Sequence, residues 1–214
     1  MEQHNRVLPL FPLNMVLFPD ASIPLRIFED RYQLMVQRCL DTDSEFGVVL
    51  IKSGFEVGGP AEPHSVGTIA RIFDVQRRDD VRMRIAVAGR ERFRIKAVTQ
   101  RIPYMEGRVT MLAEDSGVTL AEDELEGVRR TAAELVRLVH GLTGGWVSDP
   151  KLPDEPVALS YFIAALLQVG GDEKQAVLEE SSTAERLRME LRILNRDRAA
   201  LEERVARELG GEPG

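Results

Sequence analysis

Cysteine is almost absent: Cys39 stands alone among 214 residues, so no disulfide can form within the chain. No run of about 18 apolar residues marks a membrane span, and no basic-then-apolar segment marks a secretion signal. The expected compartment is therefore the cytoplasm, with no membrane partner. Histidine is scarce too. His4, His64 and His140 lie far apart without ligand-like neighbours, and one cysteine cannot supply a zinc cluster, so neither metal nor cofactor is expected. The chain contains no Gly-Lys pair, which excludes a phosphate-binding P-loop, and GxGxxG, HExxH and GxSxG are missing as well. A Ser-Lys dyad would have to draw on Lys52, Lys96, Lys151 or Lys174, and nothing in the sequence marks any of them as desolvated. Cys39 falls on the apolar side of its segment, where a thiol is usually inert packing. The sequence thus points away from an enzyme.

What is present suits a globular protein. Hydrophobic residues make up 43 % and charged residues 29 %, a composition that fills a core and excludes disorder, collagen and fibrous repeats. The net charge of −7 is unevenly placed: residues 1–115 are balanced, and the whole excess lies beyond them. Within the first part, Arg77 to Arg101 holds nine basic residues against Asp79, Asp80 and Glu91. No other basic patch exists.

The first part reads as strands. Val7 to Phe18 is apolar but broken by Pro9 and Pro12, which fits an edge or bulged strand rather than a helix. Phe46 to Ile51 is a short buried run, and Val66 to Val75 alternates in the strand period. Val81 to Val87 and Arg90 to Val98 follow as two strands, with Ala88-Gly89 as a turn or bulge where the glycine can supply a positive φ. Several short strands with Gly and Pro punctuation suggest a barrel or a sandwich. A single helix interrupts them, Phe28 to Leu40, with Phe28, Tyr32, Met35, Val36 and Cys39 at spacings of three and four.

After Asp115 the period lengthens to that of helices. Thr119 to Glu122 fits a capping box, and the helix it opens is expected to run to about His140. Pro156 to Val169 is the most apolar helix candidate, and Ser182 with Glu185 makes a second capping box for a helix running to Leu209. In that last helix Leu187, Leu191, Leu194, Leu201 and Val205 approach a four-three repeat, interrupted by Arg198. Packing within its own helical bundle or a short coiled-coil contact both fit. The expected fold class is α+β, with residues 1–115 forming the strand domain and 116–214 the helical subdomain.

Three segments carry candidate binding residues. Arg90, Arg92 and Arg94 alternate with Glu91, Phe93 and Ile95, as on a strand whose arginines face water and whose Phe93 and Ile95 face the core. Such a stripe is either a solvated face or an anionic-ligand surface for nucleic acid. The pI of 5.2 and the scarcity of aromatics at 6 % oppose a nucleic-acid partner. Phe11, Met15 and Phe18 lie among Pro9, Pro12 and Pro19; they are either core or an adaptable surface where an extended peptide pairs with backbone groups left out of a ladder. Arg26 to Tyr32, with Phe28 and Tyr32, has the same two readings.

The segments LPLFPLNMVLFP (8–19), IPLRIFEDRYQLMVQRCL (23–40), FGVVLI (46–51), HSVGTIARI (64–72) and VAGRERFRI (87–95) resemble the amino-terminal, substrate-binding domain of the Lon protease family. In particular they resemble short bacterial proteins made of this domain alone. ALSYFIAALLQV and DEKQAVLEESSTAERLRMELRIL resemble the helical part that follows it. The resemblance implies a PUA-like β-barrel with one flanking helix, then a helical bundle. Lon couples this domain to an ATPase and a Ser-Lys protease, for which these 214 residues have neither a P-loop nor the length. The expected function is therefore non-enzymatic: an adaptor or chaperone-like module holding unfolded or partner polypeptide, with Phe11, Met15, Phe18, Phe28 and Tyr32 as peptide-binding candidates. A nucleic-acid-binding PUA-like protein using Arg90, Arg92 and Arg94 is the alternative. The oligomeric state is left open.

Overall fold

A computed structural model describes residues 5–78, 82–115, 120–143 and 145–210. The chain divides into two compact units, Met1–Ala113 with Gly170–Glu179, and Glu114–Val169 with Glu180–Gly214. The class is α+β.

The first unit holds six strands, β1 (Asn5–Leu13), β2 (Ser22–Ile27), β3 (Glu45–Gly54), β4 (Ala61–Arg78), β5 (Arg82–Gln100) and β6 (Met105–Met111), with α1 (Asp30–Leu40) between β2 and β3. They form one sheet in the order β2-β5-β4-β3-β1-β6, and β6 pairs with β5 as well as with β1. The β1–β3 pair is parallel, the others antiparallel. Along β1 the partner changes: residues 5–10 pair with β6 and residues 10–13 with β3. Pro9 and Pro12 therefore each lie in a stretch with one neighbour, where an absent N–H is tolerated.

In place of the two strands expected around Ala88-Gly89, β5 is one strand of 19 residues. Its first half pairs with β2 and its second with β6. The register against β4 slips between the pairs Ala70–Gly89 and Thr68–Arg92, so Arg90 and Glu91 form a bulge. Gly89 has no positive φ. What it provides is room: a Cβ there would lie 2.1 Å from the Phe18 carbonyl oxygen, because the chain at 18–21 hydrogen-bonds directly to it, Asp20 N–H donating to the Gly89 carbonyl (3.1 Å) and Gly89 N–H to that of Ala21 (2.8 Å).

Two apolar clusters fill the unit. One packs Tyr32, Met35, Val36 and Cys39 of α1 against Phe11, Leu13, Leu25, Phe46 and Ile85. The other surrounds Phe93 with Leu8, Leu10, Val49, Ile69 and Val109. Helix α1 starts two residues later than expected, so Phe28 precedes it and is 51 % exposed.

The second unit contains α2 (Glu122–Gly141), α3 (Pro156–Leu166) and α5 (Thr183–Gly210); α4 (Gly171–Glu179) belongs to the first unit. Thr119, the first residue of the expected capping box, lies outside the described residues, and α2 begins after Ala121 without a side-chain cap. The Ser182 box forms by half. Ser182 Oγ accepts from Glu185 N–H (3.4 Å), while Ser182 N–H donates to Glu180 rather than Glu185, whose carboxylate receives Arg188. Helix α3 ends three residues early, since Leu167 turns to extended backbone and buries its side chain. Helix α5 packs along α2 through ion pairs Arg188–Glu124 (2.7 Å) and Arg198–Glu134 (2.9 Å).

Candidate functional site

Of the five apolar residues expected to contact peptide, the structure separates two groups. Phe11 and Tyr32 stack with ring centroids 4.2 Å apart in the core, and Phe18 is buried at 1 %. Their accessible-surface reading gives way to the packing one, because β1 and α1 turn Phe11 and Tyr32 into the core, and the β1–β2 loop that carries Phe18 is drawn against β5 by its hydrogen bonds to Gly89. Met15 at 39 % and Phe28 at 51 % remain exposed. They sit on the β1–β2 loop and at the β2–α1 corner, where no strand neighbour covers them.

A third segment joins these two. In the β3–β4 turn, Phe55 (68 %) and Val57 (55 %) are exposed, and three hydrogen bonds hold the turn beside the other loops. Glu56 accepts from Asn14 N–H at 2.7 Å. Glu29 accepts from Gly58 N–H at 3.3 Å, and Arg31 reaches the Gly59 carbonyl at 3.5 Å. Gly54 and Gly58 have positive φ, 101° and 74°, so the turn that carries Phe55 and Val57 depends on glycine at both positions. Glu29 is itself paired with Arg31 (3.0 Å), whose guanidinium lies 4.5 Å from the Tyr32 ring centre. Burial raises the Tyr32 hydroxyl above its ordinary pKa. The β1–β2 loop is anchored from below, Thr68 Oγ donating to the Leu17 carbonyl at 2.6 Å. The result is a set of apolar side chains on loops tied together by polar bonds, an arrangement suited to apolar, sequence-tolerant contact. Phe55 and Val57 escaped the sequence reading because nothing in FEVGG distinguishes an exposed turn from a strand end.

The arginine stripe is not formed as expected. Arg90 is exposed and Arg94 half-buried, but Arg92 is 1 % exposed, its guanidinium donating to the Leu178 carbonyl at 2.8 Å. The physical reason is that α4 covers the outer face of β5 here, while Phe93 fills the inner face. Gln175 of the same helix donates to the Val66 carbonyl at 3.0 Å. Sequence periodicity assigns one face to water and has no signal for a helix arriving from residues 171–179.

Other chemistry-bearing groups stay apart. Burial pushes the Cys39 thiol up to about 12, far from a reactive thiolate. His4 lies outside the described residues, His64 approaches Asp172 and Glu179 at 3.9 Å each, and His140 Nδ1 lies 3.0 Å from the Val136 carbonyl. No group of three or more His, Cys, Asp or Glu among the described residues is placed to hold a metal ion. Lys174 is desolvated in α4, which lowers its pKa, a property its sequence context does not betray. No described helix is long and apolar enough to cross a membrane.

The family described as the ATP-dependent protease La (LON) substrate-binding domain matches residues 7–196. Among curated proteins, Lon protease 2 of Myxococcus xanthus is 30 % identical over 204 residues, covering 94 % of this chain and 25 % of that protein. The chain thus spans about a quarter of the length of the curated relatives it matches. Among solved structures, a Lon N-terminal domain protein from Xanthomonas campestris aligns with a TM-score of 0.67 at 30 % identity, covering 87 % of this chain and 97 % of that one. The N-terminal domain of a Mycobacterium avium complex Lon protease shares the fold, with a TM-score of 0.57 at 18 % identity and coverage of 89 % and 98 %. The chain belongs to the Lon substrate-binding domain family.

Proposed function

We propose that this chain is a non-enzymatic polypeptide-binding module that engages unfolded or partner protein through the loop patch of Met15, Phe28, Phe55 and Val57. The observation that carries this reading is the convergence of three hydrogen-bonded loops that each expose apolar side chains, in a chain of a substrate-binding family. Flexible methionine and aromatic side chains fit varied apolar segments, and the polar bonds beneath them hold the loops in place without a client. In this reading the ladder β5-β4-β3-β1-β6, returning to β5, is a PUA-like barrel flanked by α1, and the helical subdomain expected at 116–214 is a bundle of α2, α3 and α5, with α4 left to the first unit. The role is that of a cytoplasmic adaptor or chaperone-like holder.

The test titrates one fluorescent single-stranded RNA and one reduced, unfolded protein at low and moderate salt. Unfolded protein is expected to bind with weak salt dependence, because apolar burial, at roughly 25 cal/mol per Å², is not screened. RNA held by phosphate contacts would lose affinity steeply with salt. Tight, salt-sensitive RNA binding with none of the unfolded protein would overturn the assignment.

A further inference from the structure

Within the second unit, α2, α5 and the extended segment after α3 enclose a pocket of about 150 Å³. Its walls are aliphatic, with Leu135 and Leu138 from α2, Leu194 and Leu201 from α5, and Val169 from the extended segment. A space of that size admits one benzene ring. The charges at its mouth are not equivalent. Glu134 is held by Arg198 at 2.9 Å, Arg198 also by Glu202 at 2.9 Å, and Asp197 by Arg196 at 2.5 Å. Arg204, also lining the pocket, has no ionic or hydrogen-bonding partner among the described residues. Arg204 is therefore the lining guanidinium whose donors are open to a ligand, although Arg198 serves two carboxylates and these charges balance. Beside it, the backbone groups of Gln168 and Val169 have left the α3 ladder, since the last helical bond there is Leu167 N–H to the Ile163 carbonyl (3.1 Å).

We propose that this pocket binds the carboxy-terminal residue of a polypeptide, taking a leucine- or phenylalanine-sized side chain between α2 and α5 and its α-carboxylate on Arg204. The apolar volume selects the side chain. The guanidinium selects a carboxylate, for which its planar fork is matched, and a chain terminus is the place where a carboxylate stands two bonds from an apolar side chain. The unpaired backbone at 168–169 offers hydrogen bonds to the peptide that precedes the terminus. The inference rests on the polypeptide-binding reading and adds a second, independent contact far from the loop patch in sequence.

The experiment uses the full chain and an amino-terminally labelled pentapeptide ending in phenylalanine, as free acid and as amide, read by fluorescence anisotropy. The acid is expected to bind about tenfold more tightly than the amide. Arg204→Gln should erase that preference, and Ala200→Trp, at an exposed position lining the pocket, should fill the space and abolish binding of both. Unchanged thermal melting of each variant separates these effects from unfolding. Equal binding of acid and amide, a preference that survives Arg204→Gln, or binding that survives Ala200→Trp overturns the pocket assignment. So does 3-phenylpropionate binding more tightly than the peptide, which would make the ligand a small carboxylate. Unfolded-protein binding is measured in parallel: if it persists while the pentapeptide fails, only the pocket is refuted, and if it too is absent the underlying reading falls.

Discussion

Replacing Glu190 by glutamine should make the protein more stable at alkaline pH and leave it nearly unchanged at pH 5. Glu190 is 1 % exposed on α5, and Ser160 Oγ donates to one of its oxygens at 2.7 Å while the other has no hydrogen-bond partner. The nearest cation, Arg186, is fully buried, but its charge is already met by Glu114 at 3.0 Å, with further bonds to the Glu180 carbonyl and the Ser160 and Thr183 hydroxyls. Burial therefore dominates and pushes the Glu190 carboxyl up to about 8. A group whose folded pKa is raised keeps its proton in the fold after the unfolded chain has lost it. Its contribution is fully present below about 4.5 and is lost as pH rises towards 8, at about 1.4 kcal/mol per unit. Over the window this amounts to several kcal/mol, on the order of 5 as an upper figure. Glutamine has the shape of the protonated acid and accepts the same bond from Ser160, so Glu190→Gln removes the proton linkage without opening a cavity. Urea denaturation at pH 5, 7 and 9 reads the difference. Coincident stabilities at pH 5 that diverge in favour of the variant by pH 9 are expected. Parallel profiles, or a variant less stable at pH 9, would show that Glu190 is ionised in the fold with Arg186 as its partner, and would refute the reasoning.

Arg92→Ala should lower stability by roughly 2–4 kcal/mol, because it strips a buried guanidinium from the Leu178 carbonyl, whereas Arg90→Ser at the exposed bulge should cost under about 0.5 kcal/mol; urea denaturation of both checks the contrast. Gly89→Ala drives a Cβ to 2.1 Å from the Phe18 carbonyl oxygen and should cost about 2 kcal/mol or more, visible as a lowered melting temperature. Cys39, buried with its pKa near 12, should resist a thiol reagent at pH 8 until denaturant is added; rapid labelling of the native protein would contradict its placement in the core.

The sequence made the broad order of strands and helices legible because the hydrophobic period changes from two to about 3.6 near Asp115. It missed β2, six residues broken by Pro24, β6, where Gly107 and Arg108 interrupt the alternation, and α4, whose GDEKQAVLE lacks a clear apolar stripe. The omission of α4 explains the error at Arg92. Without α4 on the outer face, every second residue of β5 reads as solvated, and the bulge at Arg90-Glu91 further shifts which residues alternate. Met15 and Phe28 were identifiable as candidates from composition, but their exposure, and the burial of Phe11, Phe18 and Tyr32, follows from where β1 and α1 end. Element ends are set by tertiary contacts such as Thr68 with Leu17, which no local pattern encodes.

The central claim is tested most directly by the affinity of one reduced, unfolded protein for the wild-type chain and for the triple variant Met15→Ser, Phe28→Ser, Phe55→Ser. All three side chains are at least 39 % exposed, so the fold should tolerate their loss, as a urea titration of the variant confirms before binding is compared. If each contributes roughly 1 kcal/mol or more when covered by a client, the variant should bind on the order of a hundredfold more weakly. Equal affinity of the two proteins would contradict the assignment of the loop patch.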